Sequence, residues 1–429
     1  MAIGRCGKIS TALLVALLSI LLALLLKLSQ YEGRPNSPAP PEAIPIWKNS
    51  DLTIFNRIIE YAFPLIAPVG TMNKCPVDDA RIDQECMEQA RSFIREGSAG
   101  PWQAMLDAGN HRETVIVIDE GKEESGRPPL EVVLVQPINA TVLEMANLPL
   151  IVWLHGGGFV AGAARDSYML GVMQGLAEKG NIPYDKAVWA SIEYPLAPEY
   201  KYPAAPDACF RALQYLTREH QLVDSSNGTS VRLGGGGLHI GGASAGATLS
   251  LLAGQKALQD AIRVDSLLLD TLVLPIQQSQ RVKDSSSSTS VFDSPSYRRN
   301  FYTRVPPVEW SNWIVEALTG CETKDKSSRC RQDIFGGNAL SIEDWEQLAD
   351  LPPVIVVTDK GCTFRDTALP FIQMYKNIAG EDKIRHVDAK ASHSLHLLFD
   401  SDASEQIAKL WGGLISSRSC SFGTNSFII

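Results

Sequence analysis

The chain has 429 residues, 45% of them hydrophobic, which is enough for one large domain with additions or two ordinary ones. Its formal net charge is −9 and it carries no Lys/Arg-rich patch, so there is no electrostatic footprint for nucleic acid. No repeat or long charge run interrupts it.

Thr11 to Leu26 is apolar almost without a break, with Arg5 and Lys8 before it and Lys27 after it. The run is long for a signal-peptide core and just short of a typical span. No small-x-small cleavage site follows, which favours an uncleaved N-terminal membrane anchor over residues 1–30. On that reading Arg5 and Lys8 stay cytoplasmic. The rest of the chain then lies in the lumen, as in the endoplasmic reticulum, or outside the cell; cleavage would make it secreted. Asn139-Ala140-Thr141 and Asn227-Gly228-Thr229 are glycosylation acceptors. Cys75/Cys86 and Cys321/Cys330 are local cysteine pairs that could close loops in an oxidising compartment, or stay buried thiols.

Residues 31–47 are Pro-rich and polar and read as a linker. Helical patterns cover 51–65 and 84–109, ahead of any strand. The period then changes. Thr114–Ile118 and Glu131–Val135 read as strands, and from there strands alternate with helices. Strands are expected at Leu150–Leu154, Ala187–Ile192, Leu238–Ile240, Thr271–Leu274, Pro353–Val357 and Lys383–Asp388. Helices are expected at Ser167–Lys179, Pro206–Arg218, after Gly246, and at 402–415. This alternation predicts an α/β fold with a mostly parallel central sheet and helices on both faces. The segment 278–345 breaks the pattern. It opens with the Ser-rich run Asp284–Ser290 and carries Trp310 and Trp313, which line a pocket or pack in the core.

Two motifs carry chemistry. Gly242-Ala243-Ser244-Ala245-Gly246 lies between a short apolar strand and a helix start. Gly-x-Ser-x-Gly in that setting is a nucleophile elbow: a strained turn that exposes the Ser244 hydroxyl and has no room for bulk two residues either side. Taken alone, the five residues also fit an ordinary small-residue turn. His155-Gly156-Gly157-Gly158 directly follows an earlier strand. Glycines there let backbone N–H groups approach a developing oxyanion. Gly234–Gly237 lacks the Gly-Lys-Ser/Thr of a phosphate loop and reads as a turn. Glu193 and Asp207 read as holding loops near the HGGG turn.

With HGGGF at 155–159, EYPLAPEYKYPAAPDA at 193–208, GASAG at 242–246 and HSLHLLF at 393–399, the chain resembles the hormone-sensitive-lipase-like branch of the α/β-hydrolases, the fold-3 carboxylesterases. The leading apolar segment is similar to the membrane-anchored arylacetamide-deacetylase type. The resemblance covers about residues 110–415. It implies an α/β-hydrolase fold over 48–429 with helical cap elements at about 48–110 and 278–345. It also implies hydrolysis of a lipophilic short-acyl ester through an acyl-enzyme, with no metal or organic cofactor. By the same resemblance Gly156, Gly157 and the N–H of Ala245 form the oxyanion hole. Ser244 is the nucleophile, and His393 is the base ahead of its rivals His386 and His396. His393-x-x-His396 lacks the acidic pattern of a metal site.

The acid departs from the family pattern. Counting from Thr358, its position falls on Cys362, whose neutral thiol cannot stabilise an imidazolium as a carboxylate does. Asp359 at the start of the same loop is one substitute. Asp366 is another, although its place at a helix start fits a cap better than a triad acid. A triad with no acid is the third reading, and it leaves a catalytically impaired protein that binds a small molecule. Oligomeric state is not legible in the sequence.

Overall fold

The computed structural model describes residues 39–66, 77–78, 81–82, 84–118, 130–223, 228, 230–274, 294–303, 313–314, 317–318 and 350–417. Eight strands form the central sheet: β1 (His111–Ile118), β2 (Leu130–Pro137), β3 (Leu150–Leu154), β4 (Val188–Glu193), β5 (Leu238–Ala243), β6 (Ser266–Asp270), β7 (Val354–Asp359) and β8 (Ile384–Ala389). Their order across the sheet is β1-β2-β4-β3-β5-β6-β7-β8. β2 runs antiparallel to both β1 and β4, and every other neighbouring pair is parallel. The parallel strands read as continuous apolar runs because both of their faces are covered.

Alternation along each strand sorts side chains between two cores. Leu150, Val152 and Leu154 of β3 pack on one face with α5 (Ala204–Gln214), α6 (Ala245–Gln259) and α8 (Arg365–Ala379). Ile151 and Trp153 pack on the other with α2 (Gln84–Asp107), α4 (Ser167–Lys179) and α10 (Ser401–Ser417). Further described helices are α1 (Ile54–Ile66), α3 (Val142–Asn147), α7 (Pro295–Arg299) and α9 (His396–Phe399). α4 has the expected bounds, with Asp166 capping its start through the Tyr168 N–H at 2.9 Å and Gly180 at its end.

One strand expectation fails. Thr271–Leu274 is not a strand; β6 lies just before it, at Ser266–Asp270. Both stretches are apolar, but Thr271 has φ +50 and turns the chain off the sheet. The correction moves Asp270 from beneath a strand to the carboxyl end of one, where α/β sheets build their sites.

Among the described residues no helix is long and apolar enough to cross a membrane. The apolar segment within residues 1–30, the Ser-rich run, Trp310 and Asn227 lie outside the described residues, and neither cysteine pair lies wholly within them. Of the expected cap at 278–345, only 294–303, 313–314 and 317–318 are described. Trp313 is buried in the same core as Leu150, Val152 and Leu154 of β3.

Candidate active site

Ser244 sits between β5 and α6 with φ +55 and ψ −118, a backbone conformation that L-residues adopt only under constraint. The constraint is visible. Ser244 N–H donates to Asp270 O at 2.8 Å, and the turn is crossed closely by β3. A methyl group on Gly246 would overlap Leu154 O and lie 2.6 Å from His155 O. One on Gly242 would overlap Gly246 O. Both glycines are therefore fixed by backbone crowding, as the elbow motif requires.

The HGGG loop lies against this turn: a Cβ on Gly156 would be 3.1 Å from Ala243 O and 3.7 Å from the Ser244 Cβ. Gly157 has φ +115, and its carbonyl accepts from the Val160 N–H at 3.2 Å and the Ala161 N–H at 3.0 Å. Among the described residues the N–H groups of Gly156 and Gly157 make no backbone hydrogen bond, and that of Ala245, first in α6, has no acceptor within its helix. Gly156 lies against the Ser244 turn, and Ala245 directly follows the serine. The loop is braced from below by Tyr194, whose hydroxyl donates to His155 O at 2.7 Å while its ring stacks on the His155 imidazole. From the side, Arg91 on α2 donates to Val160 O (2.8 Å) and Ala197 O (2.9 Å) and pairs with Glu199. Glu193 accepts from the Ala164 N–H at 2.6 Å, a loop-holding role as expected. Asp207 does not share it: its carboxylate pairs with Lys256, tying α5 to α6 away from the loop. Gly234–Gly237 is a turn, packed so closely on residues 146–149 that side chains at Gly235 and Gly236 would meet backbone.

His393, in the loop after β8, places Nε2 2.7 Å from Ser244 Oγ. Its loop is held by Asn56 of α1, which accepts from the Ser392 N–H at 3.2 Å. Burial pulls the imidazole down to about 4; Asp359 and Asp270 oppose that shift and His396 reinforces it. His386 is not a rival, since its Nε2 meets Thr358 Oγ1 at 2.8 Å in the sheet.

Behind His393, Cys362 Sγ lies 3.1 Å from Nδ1. The position counted from Thr358 is thus the position the chain uses, and a thiol occupies it. The loop is pinned there by Asn300, which donates to Lys360 O (3.0 Å) and Cys362 O (3.1 Å). Burial, with the charges of Asp359 and Glu60, pushes the thiol well above its ordinary range, so it stays protonated at neutral pH. The Phe364 N–H donates to the sulfur at 3.3 Å. If the S–H donates to Nδ1, the ring hydrogen is on Nε2 and cannot leave room for the serine proton. Only the tautomer with Nδ1–H directed at sulfur presents a basic Nε2 to Ser244. A carboxylate would enforce that tautomer, and a thiol does so weakly.

The expectation that Asp359 supports His393 by direct contact is corrected. Asp359 is the last residue of β7, and its carboxylate faces β6 instead of the ring of His393. Oδ1 meets His396 Nδ1 at 2.9 Å, while Oδ2 accepts from Thr271 Oγ1 (2.9 Å) and from the Ser394 N–H (2.7 Å). Asp366, at the start of α8, bonds the Ser296 N–H at 2.7 Å and serves α7. His396, at the start of the four-residue helix α9 (His396–Phe399), is enclosed: its Nε2 faces Asp270 Oδ1 at 3.2 Å. Burial opposes its charge, but Asp270 and Asp359 together hold it well above the usual histidine range. His393 and His396 thus have separate partners and do not converge as metal ligands.

The strand order, the strand–serine–helix turn and the glycine loop beside it define an α/β-hydrolase. The chain belongs to the alpha/beta hydrolase fold-3 family, whose model matches residues 151–397, more than half of its length. Similar curated proteins include neutral cholesterol ester hydrolase 1 of Pongo abelii, 30% identical over 157 residues (37% of this chain, 33% of that protein). Esterase LipI of Mycobacterium tuberculosis is 32% identical over 117 residues (27% of this chain, 32% of that protein). The match spans about a third of the length of these curated relatives. Among solved structures, an esterase from Rhizomucor miehei superposes with TM-score 0.59 at 18% identity, covering 86% of this chain and 96% of that one. A hyperthermophilic esterase from Pyrobaculum calidifontis gives 0.55 at 19%, covering 85% and 98%.

Proposed function

We propose that the protein is a serine carboxylic-ester hydrolase acting on a lipophilic short-acyl ester. The observation that carries this reading is the 2.7 Å approach of His393 Nε2 to Ser244 Oγ beside the Gly156–Gly157 loop. Ser244 Oγ attacks the acyl carbon as Nε2 takes its proton. The N–H groups of Gly156, Gly157 and Ala245 receive the oxyanion. The imidazolium returns the proton to the departing alkoxide, and water repeats the sequence on the acyl-enzyme. Ester hydrolysis is also what the names of the relatives describe. The lipophilic substrate fits the family resemblance and the apolar Thr11–Leu26 segment. On this proposal residues 1–30 anchor a luminal or extracellular domain, residues about 48–110 and 278–345 cap the site, and the exposed Asn139 acceptor is glycosylated. A fluorophosphonate probe should label Ser244 in the folded protein and leave Ser244→Ala unlabelled. Failure to label the native chain would sink the enzyme reading.

A second reading is favoured by Cys362 alone: a hydrolase-fold module that binds a small molecule without turning it over. It expects saturable binding of an uncleaved ester with no labelling of Ser244.

A further inference from the structure

We propose that Asp270, His396 and Asp359 act as one buried positioning unit whose net negative charge stands in, through space, for the carboxylate missing behind His393. The inference rests on the serine-hydrolase reading above.

The unit is closed on itself. His396 Nδ1 meets Asp359 Oδ1 at 2.9 Å and its Nε2 meets Asp270 Oδ1 at 3.2 Å, and all three side chains are fully buried. Tyr168 of α4 donates to Asp270 Oδ2 at 2.9 Å, and Thr271 Oγ1 donates to Asp359 Oδ2 at 2.9 Å. Every carboxylate oxygen therefore has a partner, as a buried ionic group requires. Two carboxylates around one imidazolium leave one unit of negative charge.

That charge is tied to both ends of the reacting pair. Asp270 is the residue whose carbonyl accepts the Ser244 N–H at 2.8 Å. Asp359 accepts from the N–H of Ser394, the residue after His393, at 2.7 Å, and Ser394 has φ +57. Holding that left-handed turn fixes where His393 leaves the backbone. Ser244 at the elbow and Cys362 after β7 touch the His393 ring, while Asp359 on β7, Asp270 on β6 and His396 on α9 act on it through space and Glu60 of α1 acts on Cys362. Asp359 and Asp270 favour a positive His393, and the thiol supplies no charge of its own. The unit thus works without touching the ring, while Cys362 fills the contact position.

The test compares p-nitrophenyl acetate turnover, across pH, in the native chain, Cys362→Ala, Cys362→Asp, Asp270→Asn and the Asp270→Asn/Cys362→Asp double variant. A unit charge beyond contact distance, at an effective dielectric of about 20, is worth on the order of 10- to 100-fold in imidazolium formation. Asp270→Asn should lose about that factor in the native background and move the acid limb to lower pH. In the Cys362→Asp background the same substitution should cost far less, because a carboxylate then contacts Nδ1 directly. Cys362→Ala should change the rate much less than Asp270→Asn does. Equal losses from Asp270→Asn in both backgrounds, with the acid limb unmoved, would assign the unit to folding alone and overturn the inference. Should Asp270→Asn fail to fold, Cys362→Asp decides by itself. A gain of roughly 10- to 100-fold supports the stand-in, whereas a gain near the 10⁴-fold worth of a triad aspartate would mean that no charge acts in the native chain. Absence of Ser244 labelling in both the native chain and Cys362→Asp would instead remove the hydrolase reading, and the inference with it.

Discussion

Lowering the pH probes His393 directly. Burial holds its imidazole at about 4, against about 6.5 for an unperturbed histidine. A base with a value of 4 is about 97% neutral at pH 5.5, whereas one at 6.5 is only about 9% neutral. Between pH 7.5 and 5.5 the rate of Ser244 labelling by a fluorophosphonate should therefore fall by less than about twofold, where an ordinary histidine would lose about tenfold. The assay is a time course of probe incorporation in buffers of constant ionic strength. A tenfold loss over that interval would refute the assignment of a burial-dominated environment to His393. The same shift bears on stability. Because the folded value lies below the unfolded one, the unfolded chain binds more protons between the two. His393 thus contributes stability that is complete above about pH 6.5 and lost as pH falls through about 4, on the order of 3 kcal/mol in all. His396 has the opposite sign: its folded value is raised, so its contribution is complete below about pH 6.5 and is lost as pH rises through that raised value.

Gly246→Ala should cost about 3 kcal/mol or more and abolish labelling, because the added methyl meets backbone carbonyls of the neighbouring strand; chemical denaturation and probe incorporation check both. Arg91→Ala should cost about 2–4 kcal/mol by freeing Val160 O, Ala197 O and Glu199 together, read as a lowered urea midpoint. Tyr194→Phe leaves His155 O without its hydroxyl donor and should cost about 1–2 kcal/mol, read the same way.

The parts of the site that were legible in the sequence are the ones built locally. The elbow needs small residues at fixed offsets, so Gly242 and Gly246 announce it. The oxyanion loop needs glycines directly after a strand, so Gly156 and Gly157 announce that. The acid position could be counted from Thr358 because only Asp359, which ends β7, and the loop residues Lys360 and Gly361 stand before Cys362. What sequence could not supply was the partner of Asp359. That depends on which side of the sheet top its side chain faces and on what β6 and α9 bring there. Placing the sixth strand a few residues late also set Asp270 below the sheet, where a carboxylate has no work to do. An aspartate ending a buried apolar run, together with a second histidine three residues after the first, was the available signal.

Asn56 gives α1 an influence out of proportion to its size. It accepts the Ser392 N–H, one residue before His393. Leu52, nearby, packs so tightly on Gly361 that a side chain there would collide with it, one residue before Cys362. The segment that joins the body of the protein to its N-terminal region is thus also the clasp on both loops behind the serine. A protein shortened to its sheet and flanking helices would keep every strand and still lose the clasp.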